Sequence, residues 1–154
     1  MSDLIEGIRG NRFLVFGRAG MDMFASLPGT KAEHATTFES GLGGSSANIG
    51  AGICKLGGNA ALVTSVSDDS VGSYCIRRLE HYGVDTRYVR RVGGEFRNSL
   101  AVYESVVENH RNVTYRNGAA DFEMTEADVT AVDYEAYGAL ITAGTVLAAE
   151  INAP

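Results

Sequence analysis

The stretch GLGGSSANIGAGICKLGG, residues 41–58, decides the fold. Glycine crowds both of its ends. Between them Ile49, Ile53 and Leu56 recur at i, i+4 and i+7, the spacing of one helix face. A serine is available as N-cap and Gly57 as the stop, so a helix is predicted over 46–56. The next run, AALVTSV (60–66), is short and apolar, as suits a strand buried on both faces. Asp69 or Ser70 can cap a second helix with the stripe Val71, Cys75, Leu79 and Tyr82, ended by Gly83. Upstream, 12–17 reads as an earlier buried strand, and downstream ALITA (139–143) as a later one. Strands alternating with helices predict an α/β fold: a Rossmann-like parallel sheet with right-handed crossovers, flanked by helices.

One region has a different texture. SLAVYESV (99–106) and NVTYR (112–116) are β-prone and flank the polar turn ENHRN, a hairpin signal. The chain after Gly17, through 36–42, can add extended segments. Lid segments near 22–42 and 96–116 are therefore expected to form a small antiparallel flap over one end of the sheet. The 154 residues, 45% hydrophobic and 21% charged, suffice for one core and predict a single domain over 1–154.

Composition narrows the function classes. A net charge of -6 argues against non-specific binding to nucleic acid or to an acidic membrane surface, both of which need a basic face. The start MSDLIEGIRGNR has neither the basic head nor the apolar centre of a signal peptide, and no run of about 18 apolar residues occurs. A cytoplasmic protein acting on a small molecule is expected. Cys54 and Cys75 lie in apolar-periodic segments without metal-ligand companions, and are read as buried reduced thiols. His34, His81 and His110 are scattered and are read as surface residues.

The opening stretch can be tested against phosphate-binding motifs. Counting from Gly41 and Gly43, the dinucleotide fingerprint needs glycine where Ser46 stands, and the other phosphate loop needs a Gly-Lys-Ser/Thr that is absent. What remains is the Gly43–Gly44 pair at a helix start, where a ligand can approach main-chain N–H groups directly. Asn48, one turn in, adds an amide with two donors and an acceptor. The bland reading is a tight turn, with Gly50 and Gly52 allowing close helix–sheet packing. In GRAGMD (17–22), Asp22 offers an acidic side chain at the carboxyl end of the first strand, where open α/β sheets bind ligands. It suits paired sugar hydroxyls, and equally the turn chemistry of a glycine-rich corner.

The order GRAGMD, GLGGSSANIGAGICKLGGNAALVTSVSDDSVG, GVDT (83–86) and YRNGAAD (115–121) resembles the amino-terminal half of a ribokinase-like, PfkB-family carbohydrate kinase, from about Phe13 to Glu150. Within the family it is most similar to kinases of sugar acids, those of 5-dehydro-2-deoxygluconate before those of 2-keto-3-deoxygluconate.

The resemblance implies an ATP-dependent kinase, with ATP and Mg2+ as cofactors, phosphorylating a hydroxyl of a keto-deoxy sugar acid. It implies that Asp22, Gly43, Gly44 and Asn48 hold the sugar hydroxyls and that the antiparallel segments form a lid. It also implies that Arg116, in the Tyr-Arg-x-Gly stretch, faces the acid, a role that bidentate guanidinium–carboxylate pairing suits. Tyr103 and Tyr115 either stack on the sugar or pack within the lid. The family's Gly-Ala-Gly-Asp type motif, which carries the catalytic aspartate, does not follow Gly144, and neither an ATP pocket nor a magnesium-organising motif is recognised. These 154 residues are therefore expected to be the sugar-side half, inactive alone and self-associating through the face left at 139–143. The alternative is a non-catalytic sugar-acid-binding or degenerate fragment.

Overall fold

The structure, a computed structural model, describes residues 10–144. The carboxyl-terminal stretch VLAAEINAP (146–154) lies outside the described residues. The order of elements is β1 (Arg12–Phe16), β2 (Gly20–Ala25), β3 (Phe38–Gly43), α1 (Ser45–Lys55), β4 (Asn59–Ser67), α2 (Ser70–His81), β5 (Val89–Val92), β6 (Leu100–Tyr103), β7 (Asn112–Tyr115), α3 (Glu126–Thr130) and β8 (Ala139–Thr142).

The alternating apolar strands assemble as expected. β5, β4, β1 and β8 form a parallel sheet in that spatial order, with Val15 level with Leu62 on one side and Ile141 on the other. Because side chains alternate across a strand, each strand feeds two cores. Val15, Leu62 and Val66 pack with Ala47, Ala51, Cys75 and Leu79 under α1 and α2. Leu14, Phe16, Ala61 and Val63 pack on the opposite face with Val132, Met124, Val129 and Tyr137. Burial pushes the Cys75 thiol up to about 12, which makes it an inert core group. Cys54, expected to be buried, is only partly so; its thiol donates to the Gly83 carbonyl at 3.4 Å. All three histidines are exposed, as expected.

The helix drawn from 41–58 forms with a different cap and with part of the expected stripe: Ile49 and Ile53 pack, half-buried, against the core. Its buried residues are Ser46, Ala47, Gly50 and Ala51, while Leu56 is 90% exposed. These small residues face β4 and the turn after α2: a Cβ on Gly50 would stand in ordinary contact with Val84 at 3.5 Å and Ala60 at 3.9 Å. No serine caps it. Gly44 holds the N-cap position at φ 97°, and Ser46 instead donates its hydroxyl to the Phe16 carbonyl at 2.8 Å. Asp69 does cap α2, accepting from Val71 and Gly72. Gly57 and Gly83 follow the two helices at φ 86° and 82°.

The lid is a second four-stranded sheet in the order β3-β2-β6-β7. It is mixed where an antiparallel flap was expected: β2 pairs parallel with β6, and only the outer pairs are antiparallel. Long connections dictate this. β6 comes back to β2 from the far side of the parallel sheet, so no tight turn joins the two strands. The β6–β7 connection is also wider than the turn expected, since β6 ends at Tyr103 and β7 begins at Asn112. Two elements had no sequence expectation. β5 extends the parallel sheet, and the short α3 carries a Thr125–Asp128 capping box tied to β5 by Arg90, 2.6 Å from Asp128.

Candidate functional site

The chain leaves β1 at Phe16, turns through 17–19 and enters the second sheet at Gly20. The corner therefore lies at the carboxyl end of the parallel strands, the ligand-binding end of open α/β sheets. The first turn of α1 docks against it. Besides the Ser46–Phe16 bond, the Ala47 N–H donates to the Arg18 carbonyl at 3.3 Å. A Cβ on Gly44 would sit 2.2 Å from that carbonyl oxygen, so position 44 requires glycine both for its positive φ and for the approach.

Strand parity sets what faces the corner. Asp22 is level with Gly41 on β3 and Ala101 on β6; Phe24 is level with Glu39 and Tyr103; Gly20 is level with Gly43. These residues share one face of the lid sheet. Three of them are glycines, and neighbouring side chains fill the space above each: Ser99 and Arg18 over Gly20, Phe24 over Gly41 and Asp22 over Gly43. The Asp22 carboxylate lies directly over Gly43, where an added Cβ would come within 2.2 Å of Oδ1. Glycine at 43 thus makes the seat of the carboxylate. Burial raises the pKa of Asp22 above the ordinary aspartate value, and the charge of Arg18 works against that rise.

Several expected site residues come together and others stand apart. Asp22, Gly43 and Gly44 are adjacent. Asn48 lies in the first turn of α1 with its side chain exposed. Tyr103 shares the Asp22 face and stacks on Phe24, ring centroids 4.9 Å apart, whereas Tyr115 is level with Leu100 on the opposite face. Arg116 follows β7 at the corner end of the sheet. It is held in an ion pair with Asp121 (Nη2–Oδ2 2.6 Å, Nε–Oδ2 3.0 Å) and lies over the Phe122 ring at 4.4 Å.

Three residues had no role in the sequence reading. Asn98 is buried and joins the two sheets: its amide donates to the Ala19 carbonyl and to the Cys75 sulfur, both at 3.1 Å, and its Oδ1 accepts from the Ser67 N–H at 2.6 Å. Ser99 accepts from Arg18 Nη1 at 2.9 Å. Arg18 itself stands in the quoted GRAGMD stretch, between the first strand and Asp22, and that position was the signal available. Asn98 and Ser99 gave none, because their partners lie 23 to 81 residues away.

A half-buried carboxylate on the lid sheet, seated over Gly43 next to the corner at the carboxyl ends of the parallel strands, can accept hydrogen bonds from a ligand rich in hydroxyls. Residues 11–153 match the pfkB family carbohydrate kinases, and the chain belongs to that family. The 5-dehydro-2-deoxygluconokinase of Photobacterium profundum is 30% identical over 134 residues, 87% of this chain and 40% of that protein. The chain thus spans about 40% of the length of the curated relatives it matches. An uncharacterized sugar kinase of Pyrococcus horikoshii, solved in complex with ATP, superposes with a TM-score of 0.69 at 23% identity, over 80% of this chain and 39% of that one. The 2-dehydro-3-deoxygluconokinase of Thermotoga maritima does so with 0.67 at 23% identity, over 76% and 36%. The latter two likenesses concern the fold.

Proposed function

We propose that residues 1–154 are the sugar-binding half of an ATP-dependent kinase that phosphorylates a hydroxyl of a keto-deoxy sugar acid. The observation that carries this reading is Asp22: a carboxylate over a glycine, with no hydrogen-bond partner among the described residues and with its charge disfavoured by burial. An ionised carboxylate only accepts hydrogen bonds, so the group that completes it must donate, and paired sugar hydroxyls do so. Asn48 adds an exposed amide from the docked helix, Gly43 seats the Asp22 carboxylate, and Gly44 lets the helix start close against the corner. Tyr103 offers an aromatic face on the same side of the lid, and Arg116 a cation at its corner end. The resemblance of the curated relatives to this chain supports a sugar acid as substrate.

ATP with Mg2+ would supply the γ-phosphoryl group in the whole enzyme. The reading holds that the 154 residues alone do not transfer phosphoryl groups, because the Gly-Ala-Gly-Asp type motif of the family is not recognised in them. ADP release by this chain with Mg2+, ATP and a panel of sugar acids tests it. No turnover, with calorimetric sugar-acid binding retained, is the expected result; turnover would place the transfer machinery within these residues.

The same reading makes the protein cytoplasmic, with no nucleic acid or membrane as partner; among the described residues no helix is long and apolar enough to cross a bilayer. It also has the chain self-associate along β8, the outermost described strand of the parallel sheet, where Leu140 is 52% exposed. Sedimentation at rising concentration checks this, and a monomer throughout would contradict it.

A further inference from the structure

Arg18 and Asp22 carry opposite charges on one face of the lid sheet, and no ion pair or hydrogen bond joins them. The Asp22 carboxylate lies over Gly43. The Arg18 guanidinium lies over Gly20, the residue level with Gly43, since a Cβ there would meet Nη1 at 3.3 Å. Gly20 has the same strand parity as Asp22, so cation and carboxylate share one face of the lid sheet. No ion pair within 4.0 Å joins Arg18 to any carboxylate among the described residues.

The guanidinium is also incompletely satisfied. Nη1 donates to a neutral hydroxyl, that of Ser99, and Nε is buried with no acceptor. A buried N–H without a partner is costly, and in a folded chain it points to a missing partner. The corner holds the residue firmly, because the Arg18 carbonyl receives the Ala47 N–H and abuts Gly44. Arg116 is placed differently. Its carboxylate partner Asp121 is 4% exposed and already has Oδ1 buried without a hydrogen bond. Withdrawing Arg116 toward a ligand would strand that buried charge, which is strongly unfavourable.

We propose, resting on the sugar-acid reading above, that Arg18 is the principal residue binding the ligand's carboxylate, side by side with Asp22, which binds its hydroxyls. A carboxylate supplies the charged acceptor that the guanidinium lacks, and a small turn of the side chain brings Nε into the contact. An acid group and its neighbouring hydroxyls would span the two charges in one orientation. A neutral sugar would use the Asp22 half alone.

The test is calorimetric titration of the 154-residue chain with 5-dehydro-2-deoxygluconate and, separately, with fructose, for wild type, Arg18→Lys, Arg18→Gln and Arg116→Gln, with circular dichroism confirming the fold of each. The expected result is a wild-type preference for the acid that falls about tenfold or more in Arg18→Gln, with fructose binding unchanged. Arg18→Lys should keep part of it, because charge remains while the fork geometry is lost. An acid preference intact in Arg18→Gln but lost in Arg116→Gln would overturn the inference and leave the sugar-acid reading standing. Equal losses for acid and fructose would overturn it too, since they would make Arg18 a positioning residue for Asp22. A wild type with no acid preference would remove the sugar-acid reading and this inference together. If Arg18→Gln fails to fold, loss of the preference in the folded Arg18→Lys decides for the inference, and its full retention decides against it.

Discussion

At Asp22 the needs of folding and of binding pull in opposite directions. Burial raises the folded-state pKa of its carboxyl. The folded chain therefore binds this proton more tightly than the unfolded chain, and folding stability falls as pH rises through the interval between the two pKa values. Asp22→Asn removes the buried charge, so it should raise the melting temperature at pH 7 while weakening sugar binding by about tenfold to a hundredfold, the range for hydrogen bonds to a charged group. Sugar affinity of the wild type should also decline on acidification earlier than an ordinary aspartate would dictate. Melting curves at pH 7 and pH 4 check the first claim: an Asn variant less stable than wild type at pH 7, or a stability gap independent of pH, would show that the carboxylate is structurally satisfied. The sequence showed Asp22, Gly43 and Gly44 because they stand in glycine-marked stretches, one after the first strand and one at a helix start. It did not show that Gly43 is the seat of the Asp22 carboxylate, since that contact depends on the register between β2 and β3.

Among the elements, the junction between the two sheets hangs on Asn98. Its amide bonds to the corner at Ala19, the end of β4 at Ser67 and α2 at Cys75. Asn98→Ala would leave the Ser67 N–H and the Ala19 carbonyl buried without this partner, which should destabilise the fold by on the order of 3 kcal/mol. Hydrogen exchange should quicken first in β2 and β6, which the junction holds; a loss confined to global stability, with the lid protected as before, would contradict that role. Pattern reading located β1, β4 and α2 because burial and asparagine-, aspartate- or glycine-marked ends are written locally; β8 it located from its apolar run between Gly138 and Gly144, although Leu140 and Thr142 are exposed. It placed Ile49 and Ile53 of α1 on the core side but carried the stripe one position too far, to Leu56, which follows the last helical residue and is exposed; the most buried positions are the small Ser46, Ala47, Gly50 and Ala51. It missed β5, whose VRRV sequence offers no apolar run, and the parallel β2–β6 pairing, which no local turn announces.

For the whole molecule, the chain passes from one sheet to the other at the corner 17–19, and the proposed sugar site draws on that corner, the first turn of α1 and the lid. α1 enters the corner through Gly44, β1 leaves it through Arg18, and the lid brings Asp22 and Tyr103 onto one face. The fold class was legible because alternation of strand and helix is repeated along the chain. The second charge at the site was not, because Arg18 gains its significance only when Gly20, Gly43 and Ser99 are folded around it. The central claim is that this corner binds a sugar acid through Asp22. Its most direct test is calorimetric titration of the wild-type chain and of Asp22→Asn with 5-dehydro-2-deoxygluconate at pH 7. Saturable one-site binding by the wild type that weakens at least about tenfold in the variant is the result expected; no binding by the wild type, or equal binding by both, would contradict the account.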